Sequence, residues 1–138
     1  MNTTTYIHAE MRHLESTAHL AIDRIHRSQN ISQVIQGMAL SIPPVLRGLR
    51  HLSPAVRRVR SEAHRRAESI VRTQVATLGE IRDETEFLQK RGALVKEWIQ
   101  LNGRFPRLAT YVRVESDRRL AQIRSSNLNS RRDAPSTL

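Results

Sequence analysis

The residues best suited to chemistry in this chain are arginines, and they are concentrated in one stretch. Residues 55–72 read AVRRVRSEAHRRAESIVR, with six arginines, two glutamates and an apolar residue at every third or fourth position. A guanidinium group keeps its charge, and its planar fork of N–H donors binds phosphate or carboxylate oxygens in pairs. The chemistry that this stretch predicts is recognition of an anion.

Residues for catalysis or metal binding do not form a recognisable set. The chain has no cysteine, which excludes thiol catalysis and zinc–thiolate sites. It has no glycine-rich phosphate loop, no serine paired with a base and no carboxylate pair on an apolar face. His8, His19 and His26 share one side of a predicted helix, but gaps of about 16 and 10 Å are too long for a shared metal. We therefore predict no enzyme activity, no cofactor and no metal.

The positive charge is concentrated in two blocks of the chain. The formal net charge is +10, and 21 of the 23 basic residues are arginines. Residues 47–78 hold eight arginines against two acids, and residues 104–138 hold eight arginines against three acids. The rest of the chain is close to neutral. Concentrated basic blocks are typical of proteins that bind a polyanion.

Heptad spacing predicts a first helix over about residues 4–28, because six apolar residues follow each other at 4-3-4-3-4 intervals. A second helix is predicted over about 31–42. Ser28 and Asn30 are suitable N-caps, and Pro43 and Pro44 end the helix because proline lacks the amide hydrogen. The heptad residues are Ile7, Met11, Leu14, Ala18, Ala21 and Ile25.

One long helix is predicted over residues 54–101. Ser53 provides a hydroxyl cap and Pro54 suits the first turn. Thirteen residues then recur every three or four positions and occupy an arc of roughly 100°, in a helix about 70 Å long. Gly79 and Gly92 are weak points, and the sequence leaves open whether the helix is continuous through them. The stripe consists of Val56, Val59, Ala63, Ala67, Ile70, Gln74, Leu78, Ile81, Thr85, Leu88, Gly92, Val95 and Ile99.

A last helix is predicted over 107–124 and a flexible basic tail over 125–138, where apolar periodicity is lost. Residues 111–114 also fit a short strand, and residues 98–124 loosely match a helix-turn-helix motif with a separate basic final helix. The long helix carries a second apolar face in its last third. We expect Leu108, Tyr111 and Val112 to fold back onto this face, with an oligomer contact as the alternative. The second face consists of Phe87, Leu94, Trp98 and Leu101.

These elements predict an all-α fold with residues 1–124 in a single helical domain. The fold is a helical bundle with one long central helix, completed by dimerisation. We expect homo-oligomer contacts through Ile7, Met11 and Leu14 and through the long-helix stripe, because the stripe is longer than any partner helix in the chain. No transmembrane segment is predicted, and the expected location is the cytoplasm.

A row of arginines on the long helix lies on the side opposite its apolar stripe. Arg58, Arg65 and Arg72 form a row with about 10 Å between neighbours. The basic block 47–78 contains no aromatic residue and the block 104–138 contains only Phe105 and Tyr111, which disfavours stacking on single strands. We predict sequence-independent binding of duplex nucleic acid; the alternative is a virion or scaffold subunit whose basic helices face an acidic protein. The predicted binding residues are Arg57, Arg58, Arg65, Arg66 and Arg72, helped by Arg118, Arg119 and Arg124.

The organisation of residues 54–124 resembles the small nodavirus proteins that suppress RNA silencing. The likeness consists of an arginine-rich, cysteine-free chain of helices with a proline-marked break before the last helix, here GRFPRLATYV. The resemblance implies a dimeric helical bundle that lays one face along double-stranded RNA and ignores its sequence. It favours RNA over DNA and implies a viral protein that acts in the host cytoplasm. The first helix and the Pro-Pro pair depart from that pattern.

Overall fold

The computed structural model describes residues 3–39, 54–101 and 103–133, and every regular element in them is an α-helix. The predicted all-α class is therefore confirmed. Residues 111–114, for which a strand was the alternative, are helical. The helices are α1 (Thr3–Arg27), α2 (Ile31–Met38), α3 (Pro54–Leu78), α4 (Glu84–Ile99) and α5 (Pro106–Asp133).

α1 and α2 pack on each other through a close approach at Gly37. A Cβ atom at this position would lie 2.9 Å from Cγ1 of Ile25, a side chain that is fully buried. Asn30 caps α2 as predicted, because its side chain accepts a hydrogen bond from the backbone N–H of Gln33 at 2.9 Å. The helix ends at Met38 and not at residue 42, since Ala39 has extended backbone angles. Pro43 and Pro44 lie outside the described residues.

The predicted long helix over 54–101 is wrong, because the structure has two helices, α3 and α4, in its place. Gly79 follows the end of α3, and Asp83 starts α4 by accepting a hydrogen bond from the N–H of Glu86 at 2.9 Å. A weak helix former followed by a strong N-cap favours two helices over one. No described helix is unusually long.

The break also changes which face of α4 is buried. From the predicted stripe, Leu88 is 40% exposed and Ile99 is 48% exposed. Phe87 and Trp98, from the second apolar face, are buried at 0% and 1% exposure. The interrupted backbone lets α4 rotate its larger aromatic side chains into the core, where they bury more apolar surface than the stripe residues.

α4 and α5 form an antiparallel pair, as predicted for the segment after Pro106. Leu108 and Val112 are buried, and the turn before α5 uses Gly103 at φ 77°. Arg91 on α4 joins the helices, because its Nε donates to the buried Ser116 hydroxyl at 3.0 Å and its Nη2 pairs with Asp117.

α5 continues to Asp133, so the predicted flexible tail from residue 125 is wrong over 125–133. The helix-turn-helix alternative is wrong too, since residues 106–133 form one continuous helix. The sequence contains no glycine or proline between Arg107 and Asp133, and the next residue that breaks a helix is Pro135. All residues from Arg124 to Arg131 are exposed.

The chain divides into two compact units, Met1–Ile70 and Val71–Leu138. Unit 1 buries apolar residues from α1, α2 and the first part of α3. Unit 2 buries apolar residues from the end of α3, α4 and α5. None of the helices in the described ranges is long and apolar enough to cross a membrane. The largest fully buried side chains are Leu14, Ile25, Val34 and Val59 in unit 1 and Val71, Phe87, Trp98, Val112 and Ser116 in unit 2.

Many of the side chains predicted to form contacts between copies are buried within the chain itself. Leu14 is 1% exposed, and the stripe residues Val59 and Ala63 are equally buried, so these side chains are not available to a second copy. The other two residues of the predicted α1 contact are more accessible, since Ile7 is half-buried and Met11 is 38% exposed. The accessible members of the predicted contacts are those at the N-terminal end of α1 and the stripe residues Leu88 and Ile99 on α4.

Candidate nucleic-acid interface

The outward side of α3 in unit 1 carries a group of three exposed arginines, Arg57, Arg58 and Arg65, which we call the α3 basic face. At about 100° and 1.5 Å per residue, Arg58 and Arg65 lie within about 20° of each other and about 10 Å apart along the axis. The opposite side of the helix is buried, with Ala63 and Ala67 at 0% exposure. Burial of that side fixes the direction in which the arginines point.

Arg57 and Arg58 are the members of the face for which the described residues supply no partner. Both side chains are exposed, and neither pairs with a carboxylate in the described parts of the chain. Two guanidinium groups on neighbouring residues add their positive potentials, and the nearest acid in sequence, Glu62, is already bonded to His26 and Arg65. An external anion would lower this electrostatic free energy.

Arg65 takes part in a small network with Glu62 and His26. Its Nη1 lies 3.4 Å from Oε1 of Glu62, and the other carboxylate oxygen lies 2.8 Å from Nε2 of His26. The hydrogen bond to His26 is the main cause of the lowered pKa of Glu62; burial acts in the opposite direction, and the charge of Arg65 adds to the lowering. Arg65 is 75% exposed, and a long surface pair of this kind contributes about 1 kcal/mol or less. A phosphate group can therefore replace it at small cost.

Arg66 serves the fold. Its Nε and Nη2 both donate to the backbone carbonyl oxygen of Ser28, at 2.8 and 2.5 Å. Ser28 follows the last residue of α1, where carbonyl groups lack partners within the helix and the helix dipole favours a cation. Arg66 thus caps α1 and ties it to α3, and it does not belong to the α3 basic face.

Two predicted arginines of unit 2 also contact their own chain. Arg119 is half-buried, with Nη2 donating to the carbonyl of Ile81 at 3.3 Å and Nη1 to Gln122 at 3.4 Å. It holds the segment between α3 and α4 against α5. Arg72 lies with its guanidinium carbon 5.5 Å from the ring centroid of Tyr111, a cation–π contact.

Arg118 and Arg124 form exposed ion pairs on α5. Arg118 is 65% exposed and 3.1 Å from Glu115, and Arg124 is 60% exposed and 2.5 Å from Glu84. The second pair joins α5 to the first residue of α4. Each arginine can bind an external anion only if its ion pair with Glu115 or Glu84 breaks.

Further exposed arginines were missed at the sequence level. Arg60 lies on α3, and Arg113 and Arg131 lie on α5; none has a partner within the described ranges. Arg113, Arg124 and Arg131 are 11 and 7 residues apart, which is close to whole helical turns and places them in one row along α5. The spacing is present in the sequence, but it was hidden by the prediction that residues 125–138 are flexible.

The described residues contain no cluster of three histidine or acidic side chains that could hold a metal ion. No protein-family model, curated protein or solved structure matches this chain.

Proposed function

We propose that this protein binds duplex nucleic acid, without regard to base sequence, through Arg57, Arg58 and Arg65. The observation that supports the proposal most strongly is that Arg57 and Arg58 are exposed and lack a carboxylate partner in the described residues. Guanidinium groups form paired, charge-assisted hydrogen bonds with phosphate oxygens. Contacts of this kind position a protein on the nucleic-acid backbone and carry no sequence information.

The shape of the site favours a duplex over a single strand. A separation of about 10 Å between Arg58 and Arg65 corresponds to roughly three steps of 3.4 Å along a duplex. Single-strand binding needs aromatic platforms, but Phe87, Trp98 and Phe105 are buried. The sequence of α3 carries arginines and no Phe, Trp or Tyr, which suits the regular backbone of a duplex.

Double-stranded RNA is the proposed substrate, in preference to DNA, because of the resemblance to nodavirus suppressors of RNA silencing. By the same resemblance, the proposed role is that of a viral silencing suppressor in the host cytoplasm. We also propose that two copies meet through the accessible end of α1, at Ile7 and Met11, to complete a helical bundle. Arg118 and Arg124 add contacts when phosphate replaces their carboxylate partners.

A role as a structural assembly component is the second candidate. The observation behind it is that Arg118 and Arg124 already pair with carboxylates, those of Glu115 and Glu84. Exposed arginines of this kind can pair in the same way with the carboxylates of an acidic neighbouring subunit. An assembly component forms large ordered particles without nucleic acid. Light scattering of the nucleic-acid-free protein therefore separates the two candidates.

The test is the affinity for a labelled RNA duplex of arbitrary sequence, measured by fluorescence anisotropy. The triple variant Arg57→Ala, Arg58→Ala, Arg65→Ala should bind far more weakly than the wild type at about 50 mM salt, where phosphate contacts dominate. The matched control replaces three exposed arginines of α1 and so removes the same charge. The control residues are Arg12, Arg24 and Arg27.

The control variant should keep most of the affinity if the α3 basic face is the site. Equal losses in the two triple variants would show that only net charge matters, and the proposed site would then be wrong. No binding by the wild-type protein at low salt would exclude the function itself.

A further inference from the structure

Unit 2 contains an open groove of about 780 Å³ along the end of α3, the segment that follows it and α4. Its apolar lining includes Leu78, Ile81 and Leu94. Leu78 and Leu94 are buried, and Ile81 is half-buried. The groove is wide enough to receive side chains from a helix.

The rim of the groove carries a small excess of negative charge in a chain whose formal net charge is +10. Glu80, Asp83 and Glu86 line it, against Arg82 and Lys90. All five of these side chains are exposed. Carboxylates beside an apolar floor are complementary to a segment that presents an apolar residue next to arginine.

The last part of α5 is such a segment. Beyond Arg124, whose pair with Glu84 fixes the helix to α4, the helix continues for about 14 Å with every described side chain exposed through Arg131. Its sequence SSNLNSRRD is rich in serine and asparagine, which are poor helix formers. A short helix of this composition is marginal unless it packs against something, and its own chain supplies no such surface among the described residues.

The apolar and basic residues of this segment are close together. Leu128 is 51% exposed, and Arg131 is exposed one helical turn later, about 60° away around the axis. Leu128 is also the only large apolar residue after Ile123 in the described part of the helix. The segment thus offers one apolar side chain and an adjacent guanidinium group.

We propose that the groove of one copy receives the end of α5 from a second copy. Leu128 packs on Leu78, Ile81 and Leu94, and Arg131 pairs with the acidic rim. The chain's own α5 does not fill its groove, because residues 124–131 are exposed. Groove and helix end both belong to unit 2, so two copies can exchange their ends reciprocally and form a closed dimer with two equal contacts.

Sedimentation velocity of the full chain, freed of nucleic acid, tests the proposal. Leu128→Asp should raise the dissociation constant of the dimer at least about tenfold, because it puts a charge into the centre of the contact. Leu20→Asp is the matched control, since it makes the same change at a leucine of α1 that is 63% exposed and takes part in neither proposed contact. Leu128 is exposed in the single chain, so the variant should keep its fold, as circular dichroism verifies.

Charge exchange gives a second, independent readout. Arg131→Glu should weaken the dimer, because it places a negative charge against the acidic rim. The double variant Glu80→Arg, Glu86→Arg should also weaken it, because the rim then repels Arg131. All three substitutions in one chain should restore association, because each copy supplies both sides of the reciprocal contact and the charges are again opposite. A chain that stays monomeric, a Leu128→Asp variant that associates like the wild type, or a failure of the triple variant to recover would overturn the proposal. None of these measurements involves RNA, so they are independent of the proposed nucleic-acid binding.

Discussion

Arg58 and Arg66 of α3, eight residues apart, should lose different properties of the protein when each is replaced by alanine. Arg66 donates two hydrogen bonds to the carbonyl of Ser28, whereas Arg58 is exposed and unpaired within the described residues. Both substitutions remove one positive charge from the same helix. Arg66→Ala should therefore reduce stability and Arg58→Ala should reduce binding.

The magnitudes follow from the contacts. Hydrogen bonds from a charged donor contribute about 1.5–3 kcal/mol, and because both N–H groups of Arg66 share one oxygen, we expect a loss of about 2 kcal/mol. Arg58→Ala should change the free energy of unfolding by about 0.5 kcal/mol or less, as exposed substitutions usually do. It should instead reduce the slope of log affinity against log salt by about one unit, the value for one lost phosphate contact.

Urea unfolding followed by circular dichroism measures the first quantity, and anisotropy with an RNA duplex at several salt concentrations measures the second. Each variant is the control for the other, because both substitutions remove one positive charge from α3. If Arg66→Ala keeps wild-type stability while its salt slope falls by one unit, the division of these arginines into structural and binding residues is refuted.

Three further predictions concern the fold. Gly37→Ala should destabilise the protein by about 1–3 kcal/mol in urea unfolding, because the new Cβ would press on the buried Cγ1 of Ile25 at 2.9 Å; unchanged stability would show that the helices can separate at no cost. Trp98→Phe should cost about 1–3 kcal/mol, since the indole N–H donates to Gln74 at 2.9 Å and its loss leaves a half-buried acceptor, and a Gln74→Leu background should reduce the cost. The pKa of Glu62 is lowered in the folded state, so the ionised carboxylate stabilises the fold fully at pH values above the ordinary pKa of a glutamate. This stabilisation is lost as the pH falls through the lowered pKa. The difference in unfolding free energy between the wild type and Glu62→Gln should therefore shrink as the pH falls from the ordinary pKa to the lowered one.

The sequence predicts the starts of the helices better than their continuity. Asn30 and Pro54 mark real helix starts, because caps and prolines act locally. The apolar stripe runs on through Gly79 at helical spacing, so periodicity alone could not reveal the break. The signal for the break is the sequence D-E-T-E at residues 83–86, in which Asp83 caps the backbone N–H of Glu86.

The role of each arginine was harder to predict than its position. Helical geometry places Arg58 and Arg65 on the outward side of α3, and their exposure agrees with this. The same geometry cannot show that Arg66 reaches a carbonyl 38 residues earlier or that Arg119 reaches Ile81. Such contacts depend on tertiary packing, which brings together residues that no local pattern connects.

The acidic residues just before and within the first turn of α4 have two different roles in the structure. Glu84 pairs with Arg124 inside the chain, whereas Glu80 and Glu86 stay exposed along the groove. The basic blocks are divided in the same way, between arginines that stabilise the fold and arginines that face solvent. The net charge of +10 therefore overstates the charge that is available for a ligand.

The salt dependence of RNA binding tests the central claim most directly. Three phosphate contacts from the α3 basic face should account for roughly three units of the slope of log affinity against log salt. The slope should therefore be shallower by about three units in the variant that lacks Arg57, Arg58 and Arg65, and it should keep its wild-type value in the α1 control variant. A slope that is the same in all three proteins would contradict the claim that these arginines neutralise the phosphates of a duplex.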